Sequence, residues 1–378
     1  MLYDKLNKYS LSDVYPMHMP GHKRNMALTP PNFPYDIDIT EIHGFDDLRF
    51  LNGELGETAD LAAKLYSSKR AFLLVNGSTV GILAGIGAHV KRGDKILFAK
   101  SCHRSVHNAV SLFDLRAVYL KPEIDKKSGV ECSITPEMIK NALDNDSDIK
   151  LIVITSPSYE GVISDIRAIS EIAQNRGKLL LVDSAHGAHL GLSNKFPENA
   201  TRCGADIVVM SLHKTLPALT QCSLLHVCSN NADVDELNRL LFVLQTSSPS
   251  YVLMSSTDYC LRLLDGDSEK LFNEYDINLS RFFDSVSDLK SLSVINPKGF
   301  NFNAEYPGFF DFDPGKIIIV TKNTNLIGAT LADILRTEYK IELEASHPQY
   351  AIAMSSICDT SDGFNRLSAA LKAIDRRI

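Results

Sequence analysis

Short apolar runs alternate with helical patterns through the middle of the chain. From GELGETADLAAKLYSS onward, Leu55, Leu61, Ala62 and Leu65 mark one face of a helix, and the apolar run Ala71 to Val75 follows it. Further runs stand near residue 97, near 117, at 151–155, at 179–183 and at 207–211, most of them separated by helical patterns. Runs that do not alternate with polar residues predict strands covered on both faces, so a mainly parallel α/β sheet is expected. In such an open sheet a ligand binds beyond the carboxyl ends of the strands, which makes the residues just past each run the informative ones. After Val227 the pattern changes to long helical stretches at 233–245 and 255–290, strand-like pieces at 317–320 and 350–354, and a terminal helix over 361–376. This predicts a connecting helical region and a smaller α+β domain. Residues 1 to about 45 are rich in Pro, His and Asp with weak periodicity, and predict an irregular arm that reaches a partner subunit. The expected division is an arm over 1–45, a large domain over 46–265 and a small C-terminal domain over 266–378.

Composition narrows the class of ligand. The length of 378 residues suits two domains, and 44% hydrophobic with 22% charged residues is ordinary for a globular chain. A formal net charge of -7 disfavours nucleic acid or an anionic membrane as partner, since either needs a basic surface. A small molecule fits better. The opening MLYDKLNKYSLSDVYP has no signal-peptide run and no stretch is of membrane length, so a cytoplasmic location is expected. Seven scattered cysteines with no CxxC pair read as free thiols.

Three motifs carry candidate chemistry. NGST, Asn76 to Thr79, stands between the run FLLV and the glycine-containing helical stretch GILAGIGAHV. A glycine turn that opens a helix aims backbone N–H groups and hydroxyls at one point, as a phosphate site requires, although alone it also fits an ordinary Asn-Gly turn. In LLLVDSAHGAH, Asp183 ends an apolar strand, where a carboxylate needs a cationic partner such as a protonated pyridine nitrogen. His186 and His189 follow at a spacing that invites a metal, but no H-E-x-x-H motif is present and no metal is expected. SLHKT places Lys214 just past another strand, in apolar surroundings suited to an amine that attacks an aldehyde. Phosphate turn, buried acid and late lysine, in that order, point to pyridoxal 5'-phosphate (PLP).

The chain resembles the Orn/Lys/Arg decarboxylase family of PLP enzymes. The likeness runs through PGHKR at 20–24, DITEIHGFDDL, LVNGST, SCHRSVHNA, SPSYEGVISDI, VDSAHGAHL, SLHKTLPALTQ and QTSSPSYVLMSS. The resemblance implies a PLP-dependent transferase-like α/β fold (fold type I) and a homodimer with active sites at the interface. It implies that Lys214 forms the Schiff base, Asp183 pairs with the pyridinium, His103 stacks on the ring, Ser78 and Thr79 bind phosphate, and Ser211 and His213 touch the phosphate. His186 then lies near the ring's phenolic side, and Ser248 to Tyr251 reach the neighbouring subunit's cofactor. The implied reaction is decarboxylation of arginine, lysine or ornithine through a quinonoid, reprotonated by His103, His213 or Lys214. Two positions depart from the family pattern. Ile82 stands where an asparagine is usual, and the chain ends at Ile378 where family members continue into a further domain, which implies a short form without that wall of the substrate entry. Two alternatives remain. One is an aminotransferase or lyase of the same fold, although PQYAIAMSSICDT has no arginine to clamp an α-carboxylate. The other is a PLP-binding subunit that needs a partner chain.

Overall fold

The computed structural model describes residues 1–378. The apolar runs form β1 (Arg70–Leu74), β2 (Lys95–Ala99), β3 (Arg116–Leu120) and β4 (Ile149–Thr155). After the two-residue β5 (Val162–Ile163) come β6 (Leu179–Asp183), β7 (Ile207–Ser211) and β8 (Ser223–Val227). All but β5 join one seven-stranded sheet of order β1-β8-β7-β6-β4-β2-β3. The pairs β2–β3, β2–β4, β4–β6 and β6–β7 are parallel, and β8 runs antiparallel to both β7 and β1. The link from β7 to β8 is too short to carry a crossover helix of ordinary length, which accounts for the reversed strand.

Both faces of the sheet are covered. Along β4, Ile152 and Ile154 join one core while Leu151 and Val153 join another, and β7 repeats this with Val208 and Met210 against Ile207 and Val209. The helix Gly77–Gly87 lies directly on the second face. A Cβ on Gly81 would stand 2.7 Å from a Leu74 methyl, and one on Gly85 2.7 Å from a Leu181 methyl. These glycines let the helix approach the sheet and bring its first turn to the end of β1.

The C-terminal part contains β9 (Ser293–Val294), β10 (Asp311–Phe312), β11 (Lys316–Val320), β12 (Ala345–His347) and β13 (Tyr350–Met354). Four of these make an antiparallel sheet of order β12-β13-β11-β9, packed with the helices Gly328–Tyr339 and Ser361–Asp375. The remaining strand, β10, pairs with β5 and so stitches this part to the large sheet's loops. One 35-residue helix, Tyr251–Ser285, runs unbroken through residue 265. Its Leu261 and Leu264 share a single core with Val182 of β6 and Phe364 of the terminal helix.

The first residues depart from the irregular structure read in the sequence: Leu2–Ser10 is a helix. Leu2 and Leu6, one turn apart, are fully buried with Leu55, Tyr251 and Met254, and the Leu2 N–H donates to Asp258 at 2.8 Å. Two apolar positions were too few to show as a period. Farther on, the Asp46 carboxylate accepts from the N–H groups of Asn52, Gly53, Leu55 and Gly56 at 2.9–3.3 Å, and so satisfies the start of the helix Glu54–Tyr66. Asp46→Ala is expected to cost about 1–2 kcal/mol, seen as a lower urea midpoint at unchanged slope.

Candidate active site

A cavity of about 630 Å³ opens at the carboxyl ends of β1, β2, β4, β6 and β7. Ser78, Thr79, His103, Asp183, His186, Ser211, His213 and Lys214 all line it. Each stands at the last residue of a strand or in the turn or first helical turn that follows one, where an open parallel sheet leaves backbone and side chains free to converge. The helix opening at Gly77, with φ +72, carries Ser78 and Thr79, and the Ser78 Oγ lies 2.7 Å from the Ser211 Oγ. Two hydroxyls and a helix N-terminus therefore share one corner, a setting for an anion. Ile82, one turn along, forms an apolar part of the same wall.

Asp183 ends β6 and is 2% exposed. Its carboxylate accepts one hydrogen bond, from the Ala185 N–H at 3.2 Å. Burial pushes its pKa up, while Lys214, the Ala185 N–H and His103 pull the other way. Lys214, one turn past β7, has its pKa lowered by burial, which Asp183 and Glu344 only partly oppose. Such an amine loses its proton more readily than an exposed lysine.

The histidines are oriented by specific partners. His103 caps the helix Arg104–Leu112, its Nδ1 accepting from the Ser105 N–H at 3.2 Å, so the neutral ring carries its proton on Nε2. His213 places Nδ1 3.0 Å from the Cys222 carbonyl, and burial lowers its pKa. His186 and His189 are committed to different groups. His189 Nε2 lies 3.0 Å from a buried Asp313 oxygen, whereas His186 stands between two lysines.

The second of those lysines is Lys316, which sequence reasoning missed. It opens β11 as the first residue of an otherwise apolar strand, is 1% exposed, and brings its Nζ to 2.7 Å from the His186 Nδ1. A lysine at a strand start reads as an ordinary solvated end, and only the packing of β11 beside the β5 loop turns it inward. Tyr159, Glu131 and Glu160 also line the cavity and were not singled out. Within the stretch Ser248 to Tyr251, Ser250 caps the helix Tyr251–Ser285, and buried Tyr251 donates to the Asp46 carbonyl.

These residues fit PLP. The volume suits a small-molecule site, and the Thr155 Oγ1 is buried at the wall without a hydrogen-bond partner. The Asp183 carboxylate has room for a cation, Lys214 can bond covalently to an aldehyde, and the Ser78–Ser211 corner can take a phosphate.

Comparison with known proteins gives a consistent result. The family model described as Orn/Lys/Arg decarboxylase, major domain, matches residues 1–325. An arginine decarboxylase of Bacillus cereus is 30% identical over 378 residues, covering 98% of this chain and 81% of that protein. The protein YaaO of Bacillus subtilis is 38% identical over 310 residues, covering 78% of this chain and 64% of YaaO. Among solved structures, the Francisella novicida lysine decarboxylase LdcF superposes with a TM-score of 0.84 at 20% identity, over 99% of this chain and 60% of LdcF. The chain thus spans less than two thirds of the length of YaaO and of LdcF.

Proposed function

The chain belongs to the Orn/Lys/Arg decarboxylase family, and from that premise we propose that it releases the α-carboxylate of arginine, lysine or ornithine as carbon dioxide, with PLP held on Lys214. The observation that carries this reading is the convergence of a buried, singly bonded Asp183 with Lys214 and the Ser78–Ser211 corner in one cavity. When bound, PLP supplies the electron sink that accepts the pair left by departing carbon dioxide. Asp183 holds a proton on the ring nitrogen, because a buried carboxylate is stabilised by a cation at that point. Ser78, Thr79 and Ser211 would bind the PLP phosphate, with His213 beside them, and His103 would help hold its ring. The carboxylates of Glu131 and Glu160 on the wall suit a cationic substrate side chain. His103, His213 and Lys214 each present a titratable nitrogen from which a proton can return to the α-carbon.

Transamination and lyase chemistry are the second reading, and product identity separates them. Purified protein loaded with PLP is expected to yield equal amounts of carbon dioxide and the matching amine from one of the three amino acids. Formation of a keto acid at the same rate would place the chain among aminotransferases instead. The amine is a diamine or its guanidino counterpart, of the kind from which polyamines are built. Ser211→Ala should weaken PLP binding about tenfold, the scale of one hydrogen bond to a charged group, as read by fluorescence titration.

A homodimer and a cytoplasmic setting complete the proposal. Leu11, Met17 and Leu28 of the arm are 88%, 86% and 84% exposed, apolar side chains that a second subunit can cover. Sedimentation at micromolar concentration is expected to give twice the chain mass. All seven cysteines are unpaired, as suits a reducing compartment.

A further inference from the structure

We propose that Lys316 is a positioning residue which takes up, through the ring of His186, the proton that Lys214 must lose before its nitrogen can act as a nucleophile. The inference rests on the assignment of Lys214 as the cofactor lysine. His186 Nε2 is 3.1 Å from the Lys214 Nζ and His186 Nδ1 is 2.7 Å from the Lys316 Nζ, so one imidazole bridges the two amines. A neutral imidazole donates from one nitrogen and accepts at the other. In one arrangement a Lys214 ammonium donates to Nε2 while Nδ1–H donates to a Lys316 amine. In the other, a Lys316 ammonium donates to Nδ1 and Nε2–H donates to a Lys214 amine. Passage between them breaks one N–H bond on Lys214 and one on Nδ1, and forms one on Nε2 and one on Lys316. The net result moves a single proton from Lys214 to Lys316.

The surroundings favour this exchange over a simple structural lysine. Lys316 makes its side-chain hydrogen bond to His186, while nearby Asp313 is already served by His189 Nε2 and by the Gly315 N–H. Gly161 has φ +103, and a Cβ there would lie 2.6 Å from the Lys316 Cβ, so the β5 loop yields space to the lysine stem. Tyr159 meets the His186 ring edge-on at 5.2 Å, lies 5.4 Å from the Lys316 Nζ, and donates to Glu344 at 2.7 Å. The charged and titratable groups that face the relay are Asp183 and Glu344 toward Lys214, Asp313, Glu160 and Glu344 toward Lys316, and His103 and His189 toward His186. Burial, with Lys316 and Lys214 adding to it, keeps His186 neutral. Burial also brings the Lys316 pKa down to about 8, so that a fraction of it near neutral pH is the free amine that can accept a proton.

The test measures amine reactivity in the chain freed of PLP. Competitive acylation by acetic anhydride is followed on the Lys214 peptide by mass spectrometry from about pH 6 to 9, with circular dichroism as the check on folding. Lys316→Met is expected to slow labelling of Lys214 about tenfold near neutral pH, equivalent to a rise of one pKa unit. Lys316→Arg keeps the charge and a donor to Nδ1 but cannot take up a proton, so it should slow labelling of Lys214 as Lys316→Met does, whereas preserved reactivity would mark a charge effect and overturn the relay. His186→Phe should slow labelling as Lys316→Met does, and Lys316→Met should add nothing in that background. Unchanged labelling in Lys316→Met overturns the relay, and so does an equal slowing by Lys316→Met with and without His186, which would mark a bare charge effect. If Lys316→Met does not fold, the Arg and His186 variants decide the matter. Borohydride fixation of PLP on Lys214 in the unaltered chain separates failure of the relay from failure of the parent assignment.

Discussion

Lys214→Ala is expected to lower carbon dioxide release by roughly 10⁴-fold or more, the scale on which loss of a positioned covalent nucleophile is felt. The chain should still fold, because the Lys214 Nζ makes one side-chain hydrogen bond, to His186, and the residue is only partly buried, at the cavity wall. Its pKa is already lowered by burial, so alanine removes a group whose charged form the fold disfavours. PLP should bind more weakly through the Ser78–Ser211 corner and lose the visible band of the covalently held form. A variant within tenfold of the parent turnover would show that another amine, with Lys316 the obvious choice, does the work.

Asp183→Asn should reduce turnover by about 10²–10³-fold, as expected when a preorganised charge is removed from beside the reacting system. Its effect on stability runs the other way. Burial raises the Asp183 pKa in the folded chain, so the stability it contributes is present below its unfolded value and lost as pH rises through the folded one. In cofactor-free protein the native chain should therefore lose melting temperature as pH rises above the ordinary carboxylate range, and Asp183→Asn should flatten that decline. A bound, protonated ring restores a partner to the carboxylate and should flatten it as well. Equal pH profiles for the parent and variant without PLP would mean that Asp183 is better solvated than its burial indicates.

The central strands of the large sheet were legible because they are buried apolar runs, and their ends led to Asn76, Asp183 and Lys214, whereas His103 and Ser211 came from the family resemblance. The helix Leu2–Ser10 was not, since its burial rests on two leucines among polar residues. Nor was β8, where the buried His226 interrupts the run Ser223–Val227. Lys316 was hidden for a different reason. Its inward orientation depends on the pairing of β10 with β5 and on the space over Gly161, contacts between segments far apart in the chain. The acids at the wall, Glu131 and Glu160, likewise lie in loops without periodicity, so their convergence exists only in three dimensions.

The most direct test of the central claim is to reduce the PLP-loaded protein with borohydride, digest it and locate the phosphopyridoxyl group by tandem mass spectrometry. The expected result is one modified site, Lys214, with Lys316 unmodified although both amines touch the same imidazole. A label on Lys316, or on no lysine of the cavity, would contradict the account.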